Sequence, residues 1–340
     1  MFFLFHARVN AVLGVFCVNS DMEIVWNSIR QDAWQQKLPT GACALQQSWR
    51  FGAAVANMGR AVLRAEVSLN GEPIALAQVI CRNFVGGVGL AYLPRGPIWC
   101  APLNSAQKRA VLRLIRRSLP QPGPHFMICV PEDPQPGLLP LMTPVHMAEL
   151  PLTTAPEMRK AMHGKWRNRL AHAEAAGIDV YATRPDFADI RWLIAKDTAQ
   201  QRARRYRALP PAFLRAWSNG NDSGLRLYTA QLGGESLAAM LFLDHAPGVT
   251  YQIGWTSEAG RAGSAHNLIL WRAMLDFAAE ERARLDLGTV DTVNAPGLAR
   301  FKIGAGGKVR GLGSSGLVLP EFPHVSRGLN AGCSLVSIGR

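Results

Sequence analysis

Acidic residues are scarce in this chain: 24 Asp and Glu stand against 37 Lys and Arg, a formal net charge of +13. That deficit favours polyanionic partners, namely nucleic acid, phosphorylated metabolites or an anionic membrane face. Six cysteines (Cys17, Cys43, Cys81, Cys100, Cys129, Cys333) form no C-x-x-C pair and keep no regular spacing. They are expected to be small core residues in a reducing compartment, not a disulfide framework. The eight histidines contain no H-E-x-x-H pair, so no structural or catalytic metal is expected. No G-x-S-x-G turn occurs, which removes the usual serine-hydrolase nucleophile. No apolar run reaches 18 residues, because the start, Met1 to Val18, is broken by His6, Arg8 and Asn10. A membrane span is therefore not expected, and a signal peptide would be poorly formed, with charge inside its apolar region. Residues 1–21 read as an extension ahead of a fold that begins near Met22, and 321–340 as a C-terminal tail.

Two glycine-rich stretches fail as nucleotide loops. Gly311 to Gly316 fits G-x-G-x-x-G but leads into a strand, whereas a dinucleotide fold needs a helix there. At Gly306-Gly307-Lys308 the next residue is Val309, where a phosphate loop needs Ser or Thr to reach magnesium.

What is present is a globular composition, 48% hydrophobic and 18% charged, in 340 residues, enough for about two domains. The first, 22–150, reads as a helix (Ile24 to Gln36), a second helix capped by Ser48, three strands, a helix (Ser105 to Leu119) and a strand (His125 to Val130). The second, 151–320, gives a strand (Ile178 to Thr183), two helices, three strands, a helix (Ser264 to Glu281), the strand at Leu285, a short helix from Pro296 and two final strands. The same hairpin signal recurs. Leu69-Asn70-Gly71-Glu72-Pro73-Ile74-Ala75 aligns with Leu232-Gly233-Gly234-Glu235-Ser236-Leu237-Ala238, an offset of 232 − 69 = 163 residues. Two copies of one mixed α/β unit follow as the architecture. Between them, Glu157 to Gly177 reads as a basic helix suited to phosphate contact.

The densest chemistry lies in Leu285 to Gly307. A short apolar strand carries Asp286, a polar loop holds Asp291 and Asn294, a short helix holds Phe301 and Lys302, and a glycine run closes the segment. This is more than core packing requires, and we take it as the candidate active-site segment.

Several stretches together resemble the FemAB-type aminoacyltransferases, a tandem form of the GNAT acyltransferase fold. They are Gln47-Ser48-Trp49, Tyr92-Leu93-Pro94-Arg95-Gly96-Pro97, the basic helix running to Gly177, Asp286-Leu287-Gly288, and Phe301-Lys302 with Gly306-Gly307. The resemblance implies an α/β fold of two GNAT-like units and transfer of an amino acid from aminoacyl-tRNA to an amine on a peptidoglycan precursor. It implies no bound cofactor, and a place in the cytoplasm at the inner membrane face beside a phosphate-bearing or lipid-linked acceptor. Lys302 is then the residue that serves the charged intermediate. Phe301 walls the pocket, and Asp286 or Asp291 holds the acceptor amine or relays its proton. Arg95, Tyr92, Arg202, Arg205, Tyr251 and His266 are the substrate-binding candidates. The family's lysine just after the Gln-Ser-Trp region is replaced by Ala53 and Ala54, and Arg261-Ala262-Gly263-Ser264-Ala265 departs from the GNAT pyrophosphate loop. A CoA-dependent N-acyltransferase and a non-catalytic basic scaffold that binds RNA or membrane remain as alternatives.

Overall fold

The computed structural model describes residues 15–17, 22–39, 44–84, 86–121, 123–204, 206, 208–220 and 222–320. The first half runs β1 (Val15–Cys17), β2 (Met22–Trp26), α1 (Gln31–Lys37), α2 (Trp49–Asn57), β3 (Ala61–Leu69), β4 (Glu72–Asn83), β5 (Gly89–Pro94), β6 (Ile98–Trp99), α3 (Ser105–Arg117), β7 (His125–Val130) and β8 (Leu138–Pro140). The second runs β9 (His146–Pro151), α4 (Ala155–Ala161), α5 (Gly164–Ala175), β10 (Asp179–Thr183), α6 (Arg191–Arg204), α7 (Pro211–Trp217), β11 (Leu225–Leu232), β12 (Glu235–Asp244), β13 (Gly248–Thr256), α8 (Glu258–Ala262) and α9 (Ala265–Ala279). It ends with β14 (Arg284–Thr289), α10 (Pro296–Gly304), β15 (Lys308–Gly311) and β16 (Gly316–Val318).

These elements form two mixed sheets. One has the order β1-β2-β3-β4-β5-β7-β16-β8, with β6 paired to β4, and the other β10-β11-β12-β13-β14-β9-β15. The duplication read from the sequence extends to irregularities in the backbone. Asn70 and Gly71 turn one hairpin with φ of 52° and 83°, and Gly233 and Gly234 turn the other with 58° and 84°. Such a turn needs two left-handed residues, which Asn and Gly adopt most readily. Each hairpin also carries a register shift at the matching place, Val67/Ser68 in one and Ala230/Gln231 in the other.

Three expectations change. Over the helix expected at Ile24 to Gln36, the chain forms β2 and only then α1, because Ile24 and Trp26 are buried while Glu23 and Val25 are not. That period of two suits a pleated strand with one covered face. The single basic helix is two, α4 and α5, since Met162 and His163 are extended between them. Within the expected extension, Val15–Cys17 pairs with β2. The rest of 1–21, the tail 321–340 and Arg205 lie outside the described residues.

A division at residue 150/151 also does not follow the sheets. After β8 the chain crosses to the second sheet, where β9 lies between β14 and β15. After β15 it crosses back, and β16 lies between β7 and β8. Each half thus lends the other one strand, and the two cannot separate without breaking both ladders. A shared apolar core reinforces this: Phe51 and Val55 of α2 pack with Phe213 and Trp217 of α7 and with Leu225 and Leu241 of the second sheet. The Phe51 and Phe213 rings lie 5.5 Å apart.

A chain ending at Gly313 would lack β16. Hydrogen-exchange protection in β7 should then fall by about tenfold or more, while β11 to β13 keep theirs. Unchanged protection in β7 would show that the borrowed strand contributes nothing to the first sheet.

Candidate active site

β13 and β14 are parallel neighbours only over Gly248 to Thr250 against Arg284 to Asp286. Beyond that point β13 continues to Thr256 and β14 to Thr289, so the sheet opens into a notch. A register shift between Asp286 and Thr289 bends β14 at this point, and Gly288 takes a φ of +79° that only glycine adopts without strain. The bend turns the Gly288 N–H onto Asp286 Oδ1 at 2.7 Å. Asp286 is 6% exposed. Burial raises its carboxyl above the usual range, opposed by the Gly288 N–H and by the guanidiniums of Arg95 and Arg284.

α10 closes one side of the notch. Pro296 stands in its first turn, where a missing N–H costs nothing, and its buried face carries Ala299 and Lys302. Lys302 is 5% exposed, and its ammonium donates to the Thr289 carbonyl at 2.8 Å. Burial lowers its pKa to about 8, with Asp286 acting in the opposite direction. A Cβ on Gly288 would stand 3.7 Å from Lys302 Nζ, so the glycine leaves the space beside the ammonium open. Phe301 continues the wall, with its ring 5.9 Å from Trp166 of α5 and 6.3 Å from His266 of α9.

His266 donates from Nε2 to the Trp255 carbonyl at 2.8 Å, and burial lowers its pKa. It is a neutral packing partner at the start of α9, with one ring nitrogen already engaged. Tyr251 lies on β13 where the notch begins. Its hydroxyl occupies the space a side chain at residue 254 would need, which accounts for Gly254. Burial first, and then the charge of Asp197, pushes the Tyr251 hydroxyl well above its ordinary pKa.

The structure therefore brings together Lys302, Asp286, Phe301, His266 and Tyr251, and leaves the other candidates elsewhere. Asp291 accepts from the Val293 and Asn294 backbone and from Asn294 Nδ2, at 2.9, 2.7 and 2.8 Å. These bonds hold its carboxyl below the usual range, so it is a loop brace and a poor base. Tyr92 stays in the first sheet, opposite Ile80 and Ile128. Arg202 is exposed on the last turn of α6. Arg95 is not a surface phosphate ligand. It is 4% exposed, its Nε lies 2.9 Å from Glu132 and its Nη2 3.8 Å from Asp286. Neither contact is aligned as a hydrogen bond, so at both of them the guanidinium acts through its charge. Gln47 of the Gln-Ser-Trp stretch donates to the Arg95 carbonyl, and Ser48 caps α2 through the Phe51 N–H. That motif is scaffolding for the arginine turn.

Sequence reasoning missed Asp197, Glu132, Glu149, Arg284 and Arg310. Asp197 is buried on α6 and accepts from Tyr206 Oη and Gln201 Nε2, both at 2.7 Å. Glu149 gathers Arg310 at 2.9 Å and Arg284 at 3.4 Å. All sit in ordinary helix, strand or loop sequence; Asp197 is paired locally, and only long-range pairing brings Glu132, Glu149, Arg284 and Arg310 together. Among the described residues, no cluster of His, Cys, Asp and Glu could hold a metal ion.

Residues 159–302 match the model of the acetyltransferase (GNAT) domain. No curated protein matches the sequence. Among solved structures, FemX is similar at a TM-score of 0.70 and 12% identity, over 86% of this chain and 97% of that one. A conserved protein of unknown function from Bacteroides thetaiotaomicron VPI-5482 is similar at 0.55 and 10%, over 84% and 98%. A tandem GNAT protein from the clavulanic acid biosynthesis pathway gives 0.44 and 12%, over 89% and 100%, too loose a likeness to carry an argument. At these identities the likeness is one of fold, and the fold of FemX is shared over most of the chain.

A buried ammonium with a pKa of about 8 against an unfolded value near 10.4 penalises the folded state at low pH. The unfolded chain holds the lysine proton more tightly, so the penalty is full below about pH 8 and is relieved as pH rises toward about 10.4. Lys302→Met should therefore be more stable than the parent at pH 7, by about 1–3 kcal/mol. The gap should narrow between pH 8 and 10, as read by urea unfolding. A variant less stable than the parent at every pH would mean that the ammonium is well solvated.

Proposed function

We propose, for a chain whose residues 159–302 match the acetyltransferase (GNAT) domain and whose fold is shared with FemX, an enzyme that transfers an aminoacyl group from aminoacyl-tRNA to an amine on a phosphate-bearing precursor of the cell wall. The observation that carries this reading is the Lys302 ammonium, buried at the splay of β13 and β14 with open space over Gly288. When an amine attacks an activated carbonyl, negative charge gathers on the carbonyl oxygen. A cation fixed in a dry site stabilises that charge without reorganising. Asp286, beside it, receives or holds the proton that the attacking amine must lose. The ester carbon takes the nitrogen and releases the ribose oxygen, which takes up the proton the amine gave to Asp286, so the step balances without an oxidant.

The helix start where CoA-dependent enzymes of this fold would cradle a pyrophosphate favours a donor other than CoA. Here the backbone N–H groups of Arg261, Gly263 and Ser264 are donated to the carbonyls of Ser257, Ala259 and Arg261, and that of Gly260 to Ser257 Oγ. Amides already engaged in α8 cannot also bind phosphate oxygens. The face of α5 supports an RNA donor. One side buries Trp166, Leu170 and Ala173, with Trp166 against Phe301, while the other exposes Lys165 and Arg169. The helix that walls the notch thus presents cations beside its rim. Among the described residues no helix is long and apolar enough to cross a membrane, and a lipid-linked acceptor would be met from one side.

Transfer to candidate amines should be supported by charged tRNA and abolished by RNase, and acyl-CoA should not replace it. Lys302→Ala should lower kcat by about 10²–10³-fold. Activity should fall as pH rises past about 8, where the ammonium is lost, and Lys302→Arg should not show that decline because its side chain stays charged. Transfer from acyl-CoA that survives RNase would establish the CoA-dependent reading instead. Lys165→Glu with Arg169→Glu should weaken tRNA binding and flatten its dependence on salt by about one to two counterions.

A further inference from the structure

Among the described residues the ion pairs around the notch nearly cancel, and Lys302 stands outside them. Arg95, from the turn after β5, meets Glu132 of the loop after β7 and Asp286 of β14. Arg310 of β15 meets Glu132 and Glu149, and Arg284 of β14 meets Glu149. Three guanidiniums thus face three carboxylates. Asp133 lies 3.5 Å from Arg310 but is two-thirds exposed and sits at the rim. From the remaining elements around α10, His163 donates its backbone N–H to the Gly304 carbonyl with its side chain exposed, and Lys308 is exposed on β15. Neither offers the ammonium an anion. Its hydrogen bond goes to a neutral carbonyl, that of Thr289.

We propose that Arg95, supplied by the first unit, keeps Lys302 of the second unit an uncompensated cation by holding the Asp286 carboxylate as its own counter-ion. Arg95 is a positioning residue that does not touch the reacting atoms. Among the described residues it pairs with the carboxylate whose charge is felt by the ammonium, so the charge of Lys302 is left to be matched by the oxyanion that forms during transfer. A lysine tightly paired with Asp286 would already be neutralised and would have less to offer in the transition state. The geometry supports the role. Arg95 has a left-handed φ of 55°, its carbonyl is pinned by Gln47, and it is almost fully buried between the units. A buried guanidinium whose Nε and Nη2 make no aligned hydrogen bond contributes less as a structural strut than as a charge. The inference about charge stands on these contacts, and only its catalytic consequence rests on the acyl-transfer reading.

The direct test is an NMR titration of the lysine side chains in the whole, folded protein. The chain has only seven lysines, and Lys302→Arg assigns the signal of Lys302. Replacing Arg95 by Met removes a cation and frees Asp286 to pair with the ammonium, so the titration of Lys302 should move up by about one pH unit or more. Asp286→Asn removes the anion and should move it down by a similar amount. The double variant should return close to the parent, and Arg95→Lys, which keeps the charge, should stay within a few tenths of a unit. A structural role alone cannot produce shifts of opposite sign that cancel. If Arg95→Met does not fold, Asp286→Asn and Arg95→Lys still decide. A Lys302 titration unmoved by Asp286→Asn, or moved by Arg95→Lys as far as by a neutral side chain, overturns the proposal. In transfer assays the high-pH decline should move with the titration in each variant. If the parent shows no transfer at all, the proposed reaction fails while the NMR result still decides this inference.

Discussion

Neither sheet is complete without a strand from the other half of the chain, and the candidate site depends on that exchange. β9 carries Glu149 into the second sheet directly beside Asp286, in register, and β15 on its other flank carries Arg310. Arg310 reaches out to Glu132 of the first unit. If β9 ended the first sheet instead, Arg284 and Arg310 would lose the Glu149 carboxylate they share. The exchange also gives each central strand two neighbours where a sheet would otherwise end. Topology and electrostatics thus require each other: the crossed strands hold the charges together, and the paired charges favour the crossed arrangement over two separate units.

Within that frame the notch follows from local backbone chemistry. A parallel pair that stops at Thr250 and Asp286 leaves polar backbone exposed on both strands, and two features use it. The Gly288 bend spends its N–H on Asp286, and Lys302 uses the Thr289 carbonyl. Burying an ammonium against a neutral acceptor is unfavourable, and the depressed pKa of Lys302 records the cost. Such strain persists where the surrounding packing fixes the side chain, as α10 does between Trp166 and β14. The site is therefore a place where the fold gives up stability for an available charge.

How much of this was legible in the sequence follows the range of each interaction. The hairpins were, because Asn70-Gly71 and Gly233-Gly234 signal their own turns, and their spacing exposed the duplication. Lys302 and Asp286 were, because a strand, a polar loop and a short helix in so few residues bring an acid and a base together locally. The strand at Ile24 was not: its apolar residues fit two periods, and only the partner β3 chooses between them. Arg95 was noticed but misplaced. A rigid turn bearing an arginine looks like a surface ligand until the second unit covers it. Glu132, Glu149 and Arg310 gave no signal, since nothing within ten residues of any of them reveals a partner more than a hundred residues away.

The two copies have diverged in a way the charge cluster makes intelligible. In the second unit the chain leaves β14 through the Gly288 bend into α10, and that passage supplies Asp286, Phe301 and Lys302. At the matching point in the first unit it leaves β7 into a proline-rich loop with no helix, and that loop supplies Glu132. The turn after β5 supplies Arg95. In place of those side chains the first unit contributes one acid and one base facing its partner, Arg95 buried and Glu132 half-buried. Because the pair adds no net charge, it can neutralise and orient the second unit's groups without raising the total charge that must be buried. A single unit with the same notch would have to compensate Asp286 with Arg284 and Lys302 from its own strand and helix. The second copy removes that constraint, which is a physical reason for a chemistry housed in one unit to need the other.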